Sequence, residues 1–356
     1  MSVLDLVRED LRDFAGYASA RRANVTGSIW LNANESPWPN DADTGLNLNR
    51  YPEPQPQALA KRLAEIYGVD LAQLMMTRGS DEGIDLLVRA FCKAGQDGVL
   101  IAPPTFGMYA VCARVQNAKI FEVPLIDEET QWRYDVSTTL EKIRQEPVKL
   151  VFVCTPANPT GQSISLDQIR QLANASTGKA IVVVDEAYAE FNETPSATCL
   201  LKEFENIVIL RTLSKAYAMA AARVGIVMAQ VNIIQVLKNI CAPYPVPIPS
   251  AAQALAGVSS DNVEAATRRA KISISERNRV YLHLQGFKCI KKIYASQGNY
   301  LLARFFDADT AFEACLSAGV VIRDMRANPV LSDGLRISIG TPDENDALLK
   351  VLEHLG

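Results

Sequence analysis

The chain has 356 residues, 48% hydrophobic and 21% charged, with a formal net charge of −4. That length supports a large core and suits two domains, and the composition is that of an ordinary globular protein. The acidic balance argues against nucleic acid or an anionic membrane as partner, and no apolar run reaches the roughly 18 residues a membrane helix needs. Seven cysteines are scattered without metal-type pairing and only two histidines occur, His283 and His354, so neither a zinc site nor histidine-centred catalysis is expected. Cysteines in apolar runs, such as Cys92 and Cys154, read as small core residues. With a Met1–Arg12 stretch that lacks a secretory signal's apolar region, they lead to the expectation of a cytoplasmic protein.

In chain order, Ile84, Leu87, Val88 and Phe91 have the spacing of an amphipathic helix over 82–93. Val99-Leu100-Ile101 and Ile120-Phe121-Glu122-Val123 read as strands, as do 150–154, 181–184, 207–210 and 224–229. Strands alternating with helices predict a mostly parallel sheet covered on both faces. The run Ala242-Pro243-Tyr244-Pro245-Val246-Pro247-Ile248-Pro249 suits neither a helix interior nor a central strand and reads as a linker. Beyond it, charged helices over about 251–285 and strands near 298–305, 320–323 and 334–339 predict a smaller α+β domain. The expected division is 31–245 for the large domain, and 1–30 with 246–356 for the small one.

Three predicted strands end in chemically loaded sequence. Leu150–Val153 runs into Cys154-Thr155-Pro156-Ala157-Asn158-Pro159-Thr160-Gly161; Val182–Val184 stops at Asp185-Glu186-Ala187-Tyr188; Ile207–Leu210 leads to Arg211-Thr212-Leu213-Ser214-Lys215, with Arg223 eight positions on. Singly, these are a turn, a helix cap and a surface cation. Together they place six polar groups at one sheet edge, and open α/β sheets bind ligands outside the carboxyl ends of their strands. Pyridoxal 5′-phosphate calls for this set: an amine for its aldehyde, a carboxylate for its ring nitrogen, Tyr and Asn donors for its ring oxygen, and Ser, Arg and backbone N–H groups for its phosphate. Gly79-Ser80-Asp81, just before the 82–93 helix, offers such N–H groups, with Ser80 the better contact and the acidic Asp81 turned aside.

These motifs resemble the fold-type I pyridoxal-phosphate enzymes of the aminotransferase class, over essentially the whole chain, from Leu31–Glu35 to Leu335–Gly340. Leu31–Glu35, Arg50–Glu53, Arg78–Gly83 and Arg211–Tyr217 are similar to the histidinol-phosphate branch, and Tyr17–Arg22 resembles the start of its enterobacterial-type members. The resemblance implies an α/β fold, with a mostly parallel seven-stranded sheet and a smaller α+β domain. It implies Lys215 as the Schiff-base residue and proton shuttle, Asp185 at the ring nitrogen, and Asn158 and Tyr188 at the ring oxygen. Ser214, Arg223, Ser80 and Asp81 belong by resemblance to the phosphate end, and Tyr109 to the face of the ring. Tyr51 would reach the phosphate of the neighbouring subunit, which implies a homodimer with shared sites.

A transaminase accepts two amino compounds in turn at one site, and one planar guanidinium reads a carboxylate or a phosphate alike. Arg336 matches the family's arginine for that role, Arg323 is second candidate, and Tyr17 and Asn34 resemble residues that line the substrate pocket. The expected reaction is histidinol phosphate plus 2-oxoglutarate giving imidazole acetol phosphate and glutamate, opposite to the biosynthetic direction. The alternatives are an aromatic amino acid aminotransferase or a phospho-amino-acid decarboxylase on the same fold. A ligand-sensing regulator is disfavoured, because only about 30 residues precede the matching region, short for a DNA-binding domain. Two departures stand out: Ala220-Ala221-Ala222 before Arg223, where relatives commonly have Gly, and Ala157 before Asn158. Neither removes a group the chemistry needs.

Overall fold

The computed structural model describes residues 2–17, 19–20 and 27–355. A seven-stranded sheet forms the centre. Its strands are β1 (Leu74–Arg78), β2 (Gly98–Ile101), β3 (Lys119–Glu122), β6 (Val148–Cys154), β7 (Ile181–Asp185), β8 (Ile207–Thr212) and β9 (Val224–Met228). The spatial order is β1-β9-β8-β7-β6-β2-β3. β9 runs antiparallel to both neighbours; the other pairings are parallel. Between β3 and β6 lies a two-residue hairpin pair, β4 (Ile126–Asp127) and β5 (Trp132–Arg133).

Alternation along the strands divides the apolar residues between two layers. Met76, Val151, Val153, Val182, Val184, Ile207 and Ile209 face α1 (Gln57–Tyr67), α5 (Leu166–Ser176) and α7 (Ile248–Gly257). Met75, Leu150, Phe152, Ile181, Val183, Val208 and Leu210 face α2 (Ser80–Phe91), α3 (Met108–Val115) and α6 (Val231–Ile240). Covered on both sides, β7 and β8 are buried at every position, which is why they read as unbroken apolar runs. α4 (Val136–Gln145) packs beside α5.

The smaller sheet is antiparallel, in the order β10 (Ile290–Ile293), β11 (Tyr300–Phe305), β13 (Gly334–Ser338), β12 (Arg323–Asp324). Val280 and Leu284 of α8 (Ser260–Gln285), Ala311 of α9 (Ala308–Ser317) and Leu348 and Leu352 of α10 (Pro342–Glu353) cover it over a separate core.

Several elements depart from the sequence expectations. Val3, Leu6 and Val7 pack into the α2–α6 layer of the large sheet, and the Arg8 N–H donates to the Ala90 carbonyl at 3.0 Å; this part of the 1–30 segment sits on the large sheet rather than the small one. Val246, Ala254 and Val258 likewise join the opposite layer of the large sheet. The Pro-rich run therefore leads into a helix that returns to the large core, and the chain crosses to the small sheet along α8. The helices expected over about 251–285 are α7 and α8, which meet at Val258–Ser259. β1, β10 and the β4–β5 pair were not anticipated.

Candidate active site

Parallel register fixes the site. Cys154 pairs with Asp185 across β6 and β7, and Asp185 with Leu210 across β7 and β8. The loops after these strands bring Asn158, Asp185, Tyr188, Ser214 and Lys215 to one cavity of about 610 Å³, closed further by Ser80, Asp81, Phe106 and Arg223.

Asp185, the last residue of β7, is 2% exposed. It accepts hydrogen bonds from the Tyr109 hydroxyl at 2.7 Å and the Ala187 N–H at 3.1 Å. Burial outweighs these bonds and pushes its carboxyl up to about 6. A buried carboxylate supported by two neutral donors is incompletely compensated, and a cation beside it would complete the set.

Tyr109 does not reach the cavity wall. It lies in the first turn of α3, fully buried, with its ring stacked on Phe152 at 4.5 Å and its hydroxyl on Asp185. The aromatic in the wall is Phe106, in the loop before α3. The helix turns Tyr109 toward the sheet and leaves Phe106 outside; the place expected of Tyr109, over the ring, is open to Phe106 instead.

Lys215 follows β8 and opens to the cavity, its Nζ 5.4 Å from the centre of the Tyr188 ring. The surrounding protein lowers its pKa, first by desolvation and then by the positive charge of Arg336, against the pull of Asp81. An amine so placed reaches its neutral, nucleophilic form more readily. Beside it, Asn158 Nδ2 donates to the Tyr188 hydroxyl at 3.4 Å, and Asn158 Oδ1 accepts from Arg336 Nη1 at 2.5 Å.

The other end of the cavity is built for an anion. Ser80 opens α2, whose first N–H groups have no side-chain cap. Two glycines permit the close approach: a Cβ on Gly79 (φ 79°) would lie 2.4 Å from Arg223 Nη2, and one on Gly225 would lie 2.3 Å from the Ser80 nitrogen. Arg223 Nη1 contacts Ser214 Oγ at 3.5 Å, and Nη2 pairs with Asp81 at 3.1 Å. Asp81 thus balances Arg223 rather than capping the helix. The alanine run before Arg223 forms only a single 3-10 turn, Ala220–Ala222.

The residues expected at the substrate end are dispersed. Arg336, on β13, joins the cavity through Asn158; its guanidinium lies 5.5 Å from the Tyr300 ring centre and its buried Nε has no hydrogen-bond partner among the described residues. Arg323 sits opposite Arg336 in the β12–β13 register but is exposed, and Asp324 is engaged by Arg326. Asn34 and Tyr51 line a different cavity with Glu35 and Arg50, and Tyr51 stacks on Tyr244 at 4.8 Å. Tyr17 is largely exposed. Of the Tyr17–Arg22 segment, Ala18, Arg21 and Arg22 lie outside the described residues. Sequence reasoning missed Phe106, Thr212 and Cys154 in the wall; the aromatic in Pro103-Pro104-Thr105-Phe106-Gly107, just ahead of a helix, was the available signal for the first.

The donor set fits pyridoxal 5′-phosphate. An under-compensated carboxylate stands at one side, an accessible amine at another, and an uncapped helix start with Ser80, Ser214 and Arg223 at the anion end. These features define a pyridoxal-phosphate enzyme of the large α/β type. The family described as aminotransferase class I and II matches residues 21–352, and the chain belongs to it. A histidinol-phosphate aminotransferase from Stenotrophomonas maltophilia is 53% identical, covering 98% of this chain and 96% of that protein. Another from Xanthomonas euvesicatoria is 52% identical, covering 99% and 97%. Among solved structures, the histidinol-phosphate aminotransferase from Clostridium acetobutylicum superposes with a TM-score of 0.77 at 21% identity, covering 87% of this chain and 91% of that one. That from Sinorhizobium meliloti, in complex with pyridoxal-5′-phosphate, gives 0.75 at 22%, covering 86% and 82%. The protein is a pyridoxal-phosphate-dependent aminotransferase acting on small amino and keto compounds. Among the described residues, no helix is long and apolar enough to cross a membrane, and no cluster of His, Cys, Asp and Glu is placed to hold a metal ion.

Proposed function

We propose that the protein transfers the amino group of L-histidinol phosphate to 2-oxoglutarate, giving imidazole acetol phosphate and L-glutamate, and that histidine biosynthesis uses the reverse reaction. The near-full-length identity to proteins named for that activity supports this reading most directly. When bound, the cofactor supplies an aldehyde that takes up the amino group and a ring that draws electrons from the substrate.

The chain's own groups do the rest. Asp185 would hold the proton of the ring nitrogen. Asn158 and Tyr188 would donate to the ring oxygen. Ser80, Ser214, Arg223 and the start of α2 would hold the cofactor phosphate, with Asp81 orienting Arg223. Phe106 would pack against the ring face. Lys215 would hold the aldehyde, and its amine, when free, would take the proton from the substrate Cα as general base and return it as general acid. Arg336 takes the anion carried at the substrate Cα, directly as the carboxylate of glutamate and through CH₂–O as the phosphate of histidinol phosphate, a role supported by its buried Nε, which has no partner among the described residues.

The active unit is a homodimer in this reading. Ile29, Leu31 and Trp38 are 79%, 89% and 76% exposed, in a segment without helix or strand, and Tyr51 lines a cavity other than this chain's own cofactor cavity. A second copy would cover that apolar surface and receive Tyr51 at its cofactor phosphate. The large sheet, with residues 3–7 and α7 packed on it, is assigned as the cofactor domain, and the small sheet with the later part of α8, α9 and α10 as the domain that closes the substrate end. Seven cysteines without disulfides support a cytoplasmic location. The test is direct: purified enzyme with L-histidinol phosphate and 2-oxoglutarate should form glutamate. If phenylalanine or tyrosine turns over far faster, the substrate assignment fails.

A further inference from the structure

Tyr300 belongs to the small sheet, yet its contacts converge on the cofactor edge of the large one. It begins β11 and is 2% exposed. Its hydroxyl donates to the Ala157 carbonyl at 2.6 Å, one residue before Asn158. Its ring meets the Tyr188 ring edge-on at 5.0 Å, and the guanidinium of Arg336 lies over it at 5.5 Å. With Tyr188, Phe191, Ala216 and Ala270 it forms a small apolar cluster of its own, apart from the three larger cores, and the Tyr188 ring of that cluster lies 5.4 Å from Lys215 Nζ. Space for the ring is reserved: a Cβ on Gly298 would lie 2.5 Å from it.

We propose that Tyr300 is a positioning residue, which sets Asn158, Tyr188 and Arg336 relative to one another across the seam between the two sheets. The geometry separates two functions in one side chain. The hydroxyl anchors the backbone of the turn that carries Asn158. The ring buttresses Tyr188 on its edge and Arg336 on its face. Arg336 in turn donates to Asn158 at 2.5 Å, so the three groups and Tyr300 close a loop of contacts. A shift of the small sheet would therefore reach the ring-oxygen donors as well as the substrate arginine. Burial raises the pKa of the Tyr300 hydroxyl and keeps it a donor.

This inference rests on the roles given above to Asn158 and Arg336, and the experiment separates the two. Holoenzyme is prepared as wild type, Tyr300→Phe, Tyr300→Leu and Asn158→Ala. The first readout is the pH midpoint of the cofactor's near-visible band without substrate. Donors to the ring oxygen favour its deprotonated form, so misplacing them raises the midpoint. Tyr300→Phe keeps the ring and should raise the midpoint by about half to one pH unit, the size of one ordinary hydrogen bond. Tyr300→Leu should add a rise in KM for glutamate of roughly tenfold, with kcat changed less, because Arg336 loses its platform. If both Tyr300 variants keep the wild-type midpoint and KM while Asn158→Ala moves the midpoint, Tyr300 is a packing residue and the inference is overturned. If Asn158→Ala also leaves the midpoint unchanged, the reading of the ring-oxygen donors falls with it. Should Tyr300→Leu fail to fold, Tyr300→Phe carries the test through the midpoint.

Discussion

Asp185→Asn should make the cofactor-free protein more stable at neutral pH while disabling the enzyme. The carboxyl of Asp185 is held at about 6 against an ordinary 3.8, because burial costs its charged form more than Tyr109 and Ala187 return. An acid whose folded pKa is raised ionises more easily in the unfolded chain, so ionisation favours unfolding. Below pH 3.8 both states are protonated and there is no cost; between 3.8 and about 6 stability falls; above that the full cost applies. The rise corresponds to about 3 kcal/mol. The amide cannot titrate, so the stability gap between variant and wild type should open by about 2.4 kcal/mol between pH 4 and pH 7.5. Any constant offset from the substitution itself cancels in that comparison. Urea unfolding of both cofactor-free proteins at the two pH values measures it. With cofactor the order reverses: the ring nitrogen's proton compensates the carboxylate, and the variant should retain cofactor poorly and lose at least about a hundredfold in turnover. A gap that stays constant with pH would refute the claim that Asp185 is a buried, under-compensated charge.

Lys215→Ala should abolish nearly all turnover, and peptide mass spectrometry of the borohydride-reduced wild type should find the pyridoxyl group on Lys215 and nowhere else. Arg336→Ala should raise KM for glutamate and for 2-oxoglutarate by roughly a hundredfold, the cost of a lost charge-assisted pair, in steady-state kinetics. Phe106→Ala should raise the cofactor dissociation constant roughly three- to tenfold, matching the worth of one aromatic stack, as read by spectral titration. Light scattering should give the mass of two chains, and Tyr51→Phe should weaken cofactor retention without changing that mass.

The chemistry of the site was legible because it lies where strands stop. Leu150–Val153, Ile181–Val184 and Ile207–Leu210 are apolar runs within β6, β7 and β8, so the polar residues at and after their ends, among them Asn158, Asp185, Ser214 and Lys215, mark a single sheet edge without any knowledge of the intervening helices. What failed to read off was orientation within a turn. Phe106 and Tyr109 are three positions apart, one in the loop before α3 and one in its first turn, and where the helix begins decides which meets the cavity and which goes beneath Asp185. Either aromatic suits either place in composition; the hydroxyl is what makes Tyr109 useful below, as donor to a buried carboxylate. The same limit hid α7: two apolar residues four apart, Ala254 and Val258, send it to the large sheet, and a proline-rich approach says nothing of direction.

Tyr300 marks a deeper limit. In sequence it is one aromatic at the start of a strand, indistinguishable from core filling. Its weight comes from three partners 112, 143 and 36 positions away, Tyr188, Ala157 and Arg336, which meet only when the two sheets are packed together. Residues that carry charge or a reactive atom announce themselves by type. Those that hold such residues in place are drawn from the same apolar and aromatic set as every core, and distances in the folded chain are what set them apart.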